Sequence, residues 1–371
     1  MKKSILEQEE LEKFRKKHKL QPYKIKQIYH EIFENSNIDF KDMTTLSLDL
    51  RYKLSEEFDI LSIHPEKILK EEDTTKISFQ TNSGETIESV IMYHHKDKKK
   101  SDIEKDWNTT LSRMTLCISS QVWCSVWCIF CVTWKMWFKE NLTWKDIISQ
   151  TIFSNNYVKQ IFWKKHDWTY HKIRNIVFMW MWEPLLNYEN TKKTAQIMMN
   201  QWFWLSLSKR HITISTCWII PWIQKTIQDW LNCMLAISLH APNQQLREKL
   251  VPIAKQHPIH QLINILDKYY QKTKNRIFYE YTMLKGINDE KKHAKELIKL
   301  VKKQNCHINL IAYNENPAMP QLKESDSKTI EKFKKTLEDN WLTVTLRQPF
   351  WRQSKWACGQ LGWEQIWKYR D

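Results

Sequence analysis

A partly closed α/β barrel behind a small helical domain is the fold class the sequence predicts. Three observations carry that reading. From residue 113 onward, apolar runs of strand length alternate with longer segments of helical periodicity, the pattern of βαβ units around a parallel sheet. Before residue 63 the apolar residues recur at helical spacing alone. The motifs rich in Cys, Ser, His and Asn fall just after the apolar runs, and in such barrels chemistry sits at the C-terminal ends of the strands.

In chain order, residues 1–62 read as a helical accessory domain: "LEKFRKKHKLQPYKIKQIYHEIFE" and "FKDMTTLSLDLRYKLSEEF" place basic residues between apolar ones at helical spacing. Residues 63–112 read as a β-hairpin extension, two β-like runs about the turn "NSGE", followed by the charged loop Lys96 to Lys100. Residues 113–347 form the barrel. Its strands are predicted at 113–119, 174–179, 211–216, 234–240, 277–283, 307–312 and 342–347. The helices between them are predicted near 143–162, 188–201, 221–230, 258–273, 289–304 and 325–339. Residues 348–371 form a C-terminal tail.

The formal charge of +16 favours a polyanionic partner, most simply RNA or DNA. No apolar run approaches the roughly 20 residues of a membrane span. Glu7, Glu9 and Glu10 break any signal-peptide core, so the chain is expected in the cytoplasm, with its eight cysteines reduced. The chain carries 20 Trp and only 4 Gly. Ordinary usage of about 7% would give roughly 26 Gly. Trp stands beside Pro and at strand ends, as in "MWMWEP" and "STCWIIPW", where turns call for Gly. UGA is read as Trp in some bacterial codes and as Gly in others. Many of these Trp are therefore expected to be Gly in the living organism.

Three motifs point to chemistry. Cys124, Cys128 and Cys131 supply three thiolates within eight residues. A tetrahedral zinc site needs a fourth ligand, and no nearby His or Cys has the spacing. Three thiolates suit a 4Fe–4S cluster with one iron open to S-adenosylmethionine, the signature of the radical-SAM superfamily. "MWMWEP" (179–184), read with Gly at 180 and at Trp182, resembles the Gly-Glu-Pro loop of those enzymes, where the backbone approaches the SAM amino group. Ser215, the Ser238-Leu239-His240 segment and Asn314 place polar groups at further strand ends; singly, each reads as a cap or a satisfied core group.

Together these motifs resemble the dual-specificity RNA methyltransferase family that methylates adenine carbon 2 in 23S rRNA and tRNA. The resemblance runs through "FKDMTTLSLDLRYKL", "TLCISSQVWCSVWCIFCVTWKMWF", "IVFMWMWEPLLNY", "HITISTCWIIPWI", "LAISLHAPNQQLREKLVPI", "YEYTMLKGINDE", "INLIAYN" and "WACGQL". The departures are mostly Trp where the family has Gly: 123, 127, 134, 137, 180, 182, 218, 222 and 351. The resemblance implies a radical-SAM barrel, a 4Fe–4S cluster on Cys124, Cys128 and Cys131, and two SAM per turnover. It implies SAM contacts from Trp182, Glu183, Ser215, Ser238, Leu239, His240 and Asn314. Cys358 would take a methyl group from one SAM. The radical from the second would activate that methyl for addition to the adenine. Cys117 would then release the product through a transient disulfide, and Glu88 would remove the carbon-2 proton. Cys217, Cys233 and Cys306 read as small buried apolar residues. An electron donor such as flavodoxin or ferredoxin is implied, and a monomer is expected. Two rival readings are a carbon-8 adenine methyltransferase with the same cluster and cysteines, and a non-catalytic zinc-holding RNA-binding protein. A third is a dead enzyme, should the Trp residues be genuine.

Overall fold

The computed structural model describes residues 2–95, 111–162, 171–179, 183–200, 205–217 and 219–347. Cys358 and the tail 348–371 lie outside the described residues, as do Trp180, Trp182, Trp218, Trp351 and the run Lys96 to Lys100. The chain divides into two compact units. One comprises Met1–Ile118, Leu142–Ile176 and Glu189–His211; the other comprises Ser119–Asn141, Val177–Tyr188 and Ile212–Asp371.

The first unit opens with the predicted helices. Strand β1 (Lys3–Ser4) pairs in parallel with β2 (Phe58–Asp59) and closes the helical segment on itself. Helix α1 (Gln8–Lys17) buries Leu11 and Phe14, and α2 (Tyr23–Tyr29) buries Ile25, Ile28 and Tyr29. Ser47 caps α3 (Leu48–Glu57) by accepting from the Leu50 amide, and Leu50 and Leu54 face inward. Glu31, 1% exposed, accepts from Asn35 at 2.9 Å, from Asn37 at 2.7 Å and from the Thr45 hydroxyl. A buried carboxylate is tolerable only with such donors.

Beyond the helices an antiparallel meander runs through β3 (His64–Glu71), β4 (Thr74–Gln80), β5 (Thr86–His95) and β6 (Leu111–Cys117). The sequence predicted two strands between 65 and 95; there are three. The missed strand, β3, is exposed along most of its length and lacks the apolar alternation that marks a half-buried strand. The predicted turn is present: Gly84 takes φ +84°, and Thr81 and Glu85 close it with a 2.8 Å bond.

In the second unit the short strands β7 (Gln121–Val122) and β8 (Glu140–Asn141) pair antiparallel and pinch the base of the cysteine loop. Next along the chain come helix α4 (Trp144–Ile161) of the first unit, strand β9 (Asn175–Phe178), where the division falls after Ile176, and helix α5 (Tyr188–Met199), in the first unit from Glu189 onward. Thr143 and Asp146 start α4 with a reciprocal capping box. Five parallel strands then follow in neighbour order: β10 (Ile212–Thr216), β11 (Met234–Ser238), β12 (Ile277–Met283), β13 (Cys306–Ala312) and β14 (Thr343–Arg347). The connecting helices are α6 (Ile220–Gln228), α7 (Gln244–Leu250), α8 (Ile259–Thr273), α9 (Lys291–Val301) and α10 (Ser327–Glu338). In α8 the buried residues are Leu262, Ile265, Leu266 and Tyr269; in α9 Ala294, Leu297, Ile298 and Val301 lie on one stripe, the spacing that predicted both helices. Helix α7 was not predicted. Its start is signalled by Asn243, whose side chain accepts from the Leu246 amide at 2.9 Å. Seven residues are too few for a helical period to stand out.

Candidate active site

Residues 123–138 form a loop anchored by apolar packing. Val126 and Val132 are buried with Ala241, Leu250, Val251, Leu284, Tyr313, Met319 and Leu322, and Cys124 and Cys128 pack against that cluster. The Ile129 amide donates to Leu250 O at 3.0 Å, and Lys135 Nζ donates to Ala318 O at 2.8 Å. The loop is thus held from both flanks while its thiols turn toward one cavity. Cys124, Cys128 and Cys131 line that cavity with Glu183, Ser215, Cys217, Ser238, His240 and Asn314. The structure therefore brings together the three cysteines predicted to hold a cluster and five of the seven predicted SAM contacts. Leu239 is buried behind them with its amide bonded to Glu280 O at 3.0 Å, and Trp182 lies outside the described residues.

Burial shifts Cys124, Cys131 and Glu183 of the cavity upward. Burial pushes the Cys124 thiol up, and the neighbouring Cys131 pushes it further. Burial takes Cys131 to about 11, against a hydrogen bond with Thr133 that opposes it. Glu183 is raised by burial, although it accepts from the Leu185 amide at 3.1 Å and from the Cys217 amide at 2.8 Å and thiol at 3.0 Å. A coordinated metal reverses this, because a ligating thiol is deprotonated by the metal's own charge. Among the described residues no three His, Cys, Asp or Glu side chains are close enough to grip a single ion. A cubane cluster makes no such demand, since each thiolate binds a separate iron. In chemistry, three thiols lining one cavity, the donor set fits a 4Fe–4S cluster.

His240 lines the cavity, and Arg247 is buried behind it. His240 has φ +55° and its Nδ1 accepts from the Thr282 amide at 3.1 Å, which leaves the proton on Nε2. Burial, with the Arg247 charge nearby, lowers His240 to about 3, so the ring is neutral. It meets the Phe130 ring of the cysteine loop at 4.6 Å. Arg247, fully buried on α7, donates to Cys217 O at 2.9 Å and Ser238 O at 3.4 Å, tying the ends of β10 and β11. Sequence reasoning missed Arg247 with its helix and took Cys217 for an inert apolar residue. Cys217 lines the cavity and bonds Glu183; its place after a strand, like Ser215, was the available signal. Cys233 and Cys306 are buried in the interior.

Cys117 and Glu88 belong to the meander of the first unit. Val90 pairs with Cys117 on one side and with Lys76 on the other, so Lys76, Glu88, Val90 and Cys117 share one face. Lys76 Nζ lies 3.0 Å from Glu88 Oε1, with both side chains nearly buried. Cys117 is 1% exposed. No disulfide is seen among the described cysteines.

Comparison with known proteins agrees with this geometry. The family model for the radical SAM superfamily matches residues 118–298, and the model for the ribosomal RNA large subunit methyltransferase N-terminal domain matches residues 5–60. A probable dual-specificity RNA methyltransferase RlmN of Dictyoglomus thermophilum is 37% identical over 91% of this chain and 90% of its own length. The RlmN of Chloroherpeton thalassium is 37% identical over 93% of this chain and 89% of its own. Among solved structures, a radical SAM methyltransferase from Sphaerobacter thermophilus superposes with a TM-score of 0.82 at 30% identity, covering 96% of this chain and 97% of that one. Similarity of this extent covers the helical domain, the cysteine loop and the strand ends alike, and the chain therefore belongs to the dual-specificity RNA methyltransferase RlmN family, SAM-dependent RNA methyltransferases of the radical SAM superfamily.

Proposed function

We propose that this enzyme makes 2-methyladenosine at one adenosine of the 23S rRNA peptidyl-transferase centre and at the adenosine 3′ of certain tRNA anticodons. The observation that carries the reading is the convergence of Cys124, Cys128 and Cys131 on the cavity that Glu183, Ser215, Ser238, His240 and Asn314 share. When bound, a 4Fe–4S cluster with SAM supplies a 5′-deoxyadenosyl radical. The three thiols hold the cluster, and the Val126 amide bonded to Cys124 Sγ at 3.3 Å supports one of them. Cys358 takes the methyl group, Glu88 takes the carbon-2 proton with Lys76 beside it, and Cys117 releases the product. Residues 1–62 and the charge of +16 support RNA binding through phosphate contacts. A reductant is required, and the protein works in the cytoplasm as a monomer. Among the described residues no helix is long and apolar enough to cross a membrane.

The test is anaerobic iron–sulfide reconstitution followed by nucleoside analysis of treated RNA. Broad visible absorbance and 2-methyladenosine are expected. A colourless, zinc-loaded protein would support the non-catalytic reading, and 8-methyladenosine would reassign the position.

The Trp excess has a physical counterpart. Four of the nine non-glycine residues described with positive φ are Trp: Trp123 at +63°, Trp137 at +57°, Trp230 at +53° and Trp341 at +65°. Such φ favours glycine. Trp230 and Trp341 follow helices α6 and α10. The Leu231 amide reaches back to Thr226 O at 3.2 Å and the Leu342 amide to Leu337 O at 3.3 Å, the six-to-one bond of a glycine-ended helix. These positions support Gly in the native protein. Mass spectrometry of native peptides covering Met114 to Lys135 tests it, and Trp at 123, 127 and 134 would overturn it.

A further inference from the structure

Glu280 lines the cysteine cavity, and neither the motifs nor the resemblance gave it a role. It sits on β12 between Ser238 of β11 and Asn309 of β13, directly in register with both. Its residue is 3% exposed. Oε1 accepts from Asn309 Nδ2 at 2.8 Å. Oε2 has no hydrogen-bond partner among the described residues. Arg347 Nη1, also on the cavity wall, lies 3.5 Å from that oxygen. An ion pair at this distance meets the charge but leaves the lone pairs unused. A buried carboxylate oxygen left this way is costly unless a ligand donor completes it.

The chemistry of the missing donor follows from what is already present. Arg347 supplies the positive charge, so a cationic ligand group is not required. A neutral donor is, and a hydroxyl fits a carboxylate best at short range. The neighbours narrow the source. The Glu280 carbonyl accepts from the Leu239 and His240 amides at 3.0 and 3.2 Å, so β12 braces the Ser238-Leu239-His240 segment. Thr282, two residues on and on the same strand face, also lines the cavity and fixes His240.

We propose that Glu280 Oε2 is the acceptor for a ribose hydroxyl of the nucleoside bound in this cavity, with Asn309 and Arg347 holding the carboxylate in position. Two molecules can bring that hydroxyl: SAM, through its 2′- or 3′-hydroxyl, and the target adenosine of the RNA, through its 2′-hydroxyl. The inference rests on the radical SAM reading of the site.

Equilibrium binding to the reconstituted enzyme tests it with SAM, 2′-deoxy-SAM and 3′-deoxy-SAM, beside an RNA carrying one 2′-deoxy residue at the target. The unaltered enzyme should bind one of these analogues roughly tenfold more weakly than its parent. The affected analogue identifies the source. In Glu280→Gln, Asn309 keeps the amide oxygen, so the NH2 group faces the cavity in place of an acceptor. That variant should bind the parent roughly tenfold more weakly and no longer distinguish it from the deoxy analogue. Undiminished discrimination by Glu280→Gln, or equal binding of every analogue by the unaltered enzyme, overturns the assignment. Failure of the broader reading looks different: no SAM binds at all. The analogue series on the unaltered enzyme keeps the test intact even if the variant does not fold.

Discussion

The two units place their chemistry on opposite kinds of scaffold. In the first, Lys76, Glu88 and Cys117 stand in an antiparallel meander: Lys76 pairs with Leu69 and Val90, Glu88 with Ser78, and Cys117 with Val90. In the second, Cys124, Cys128 and Cys131 ride a loop, and Ser215, Ser238 and His240 sit where parallel strands end. A ladder residue cannot move without breaking hydrogen bonds, so it suits a group that must hold one position. A loop can wrap a cluster whose shape no side chain supplies. The difference predicts that damage to the loop removes activity with modest loss of fold, and that breaking the buried Lys76–Glu88 pair in the ladder costs stability as well.

The largest effect is expected at the loop. Cys128→Ala should yield protein that folds but shows no cluster absorbance and no RNA methylation. Cys128 packs against the apolar cluster with only part of its residue buried, so the fold should survive the loss of its thiol. A variant that unfolds instead would mean the loop cysteines are structural.

In the ladder, Lys76→Met leaves the Glu88 carboxylate buried beside an apolar neighbour. Breaking a buried pair from one side costs about 3–5 kcal/mol, which urea unfolding would read. The double variant Lys76→Met with Glu88→Leu should recover most of that loss. If Glu88 is the proposed base, the double variant should still carry methylated Cys358 yet release no methylated RNA. Methylated RNA from the double variant would remove Glu88 from the reaction.

This contrast also explains what the sequence made legible. Loop chemistry is local: three cysteines within eight residues announce themselves, and Glu183 follows from its Pro neighbour. Strand and helix positions of the second unit were legible because apolar periods repeat over each element, as in α8 and β13. The Lys76–Glu88 pair was not, because it depends on how β4 and β5 are aligned across a turn. Glu280 was hidden for the same reason: inside "YEYTM" it reads as one polar residue in an apolar strand, and only the neighbouring strands show what surrounds it. Cys358 and Trp182 rest on motif alone.

His240 gives a smaller, pH-dependent effect at the parallel strand ends. Its folded value of about 3 lies below the ordinary 6.5. The unfolded chain therefore binds a proton below pH 6.5 that the folded protein refuses. The contribution is fully present above 6.5 and is lost as pH falls from 6.5 toward 3, at up to about 1.4 kcal/mol per pH unit. His240→Asn tolerates the positive φ and cannot titrate, so its unfolding free energy should fall less steeply over that window. Equal slopes in urea titrations at pH 7 and pH 5 would mean the ring is protonated in the folded state.

The smallest effects are expected at the tryptophans, and they sort by burial. Trp341 is 96% exposed, so Trp341→Gly forfeits almost no packing and removes a left-handed residue from the end of α10. A gain of about 1 kcal/mol is expected. Trp230 is 66% exposed, but its ring lies under Lys272 at 4.4 Å, so the gain there should be smaller by a few tenths of a kcal/mol. Trp123, at 3% exposure, reverses the balance: the same left-handed backbone is relieved, but a buried ring is lost, and Trp123→Gly should destabilise. Urea midpoints in the order Trp341→Gly, Trp230→Gly, unaltered, Trp123→Gly would show backbone strain and burial acting separately. A stabilising Trp123→Gly would instead mean that the loop around the cysteines closes better on a glycine than on the ring.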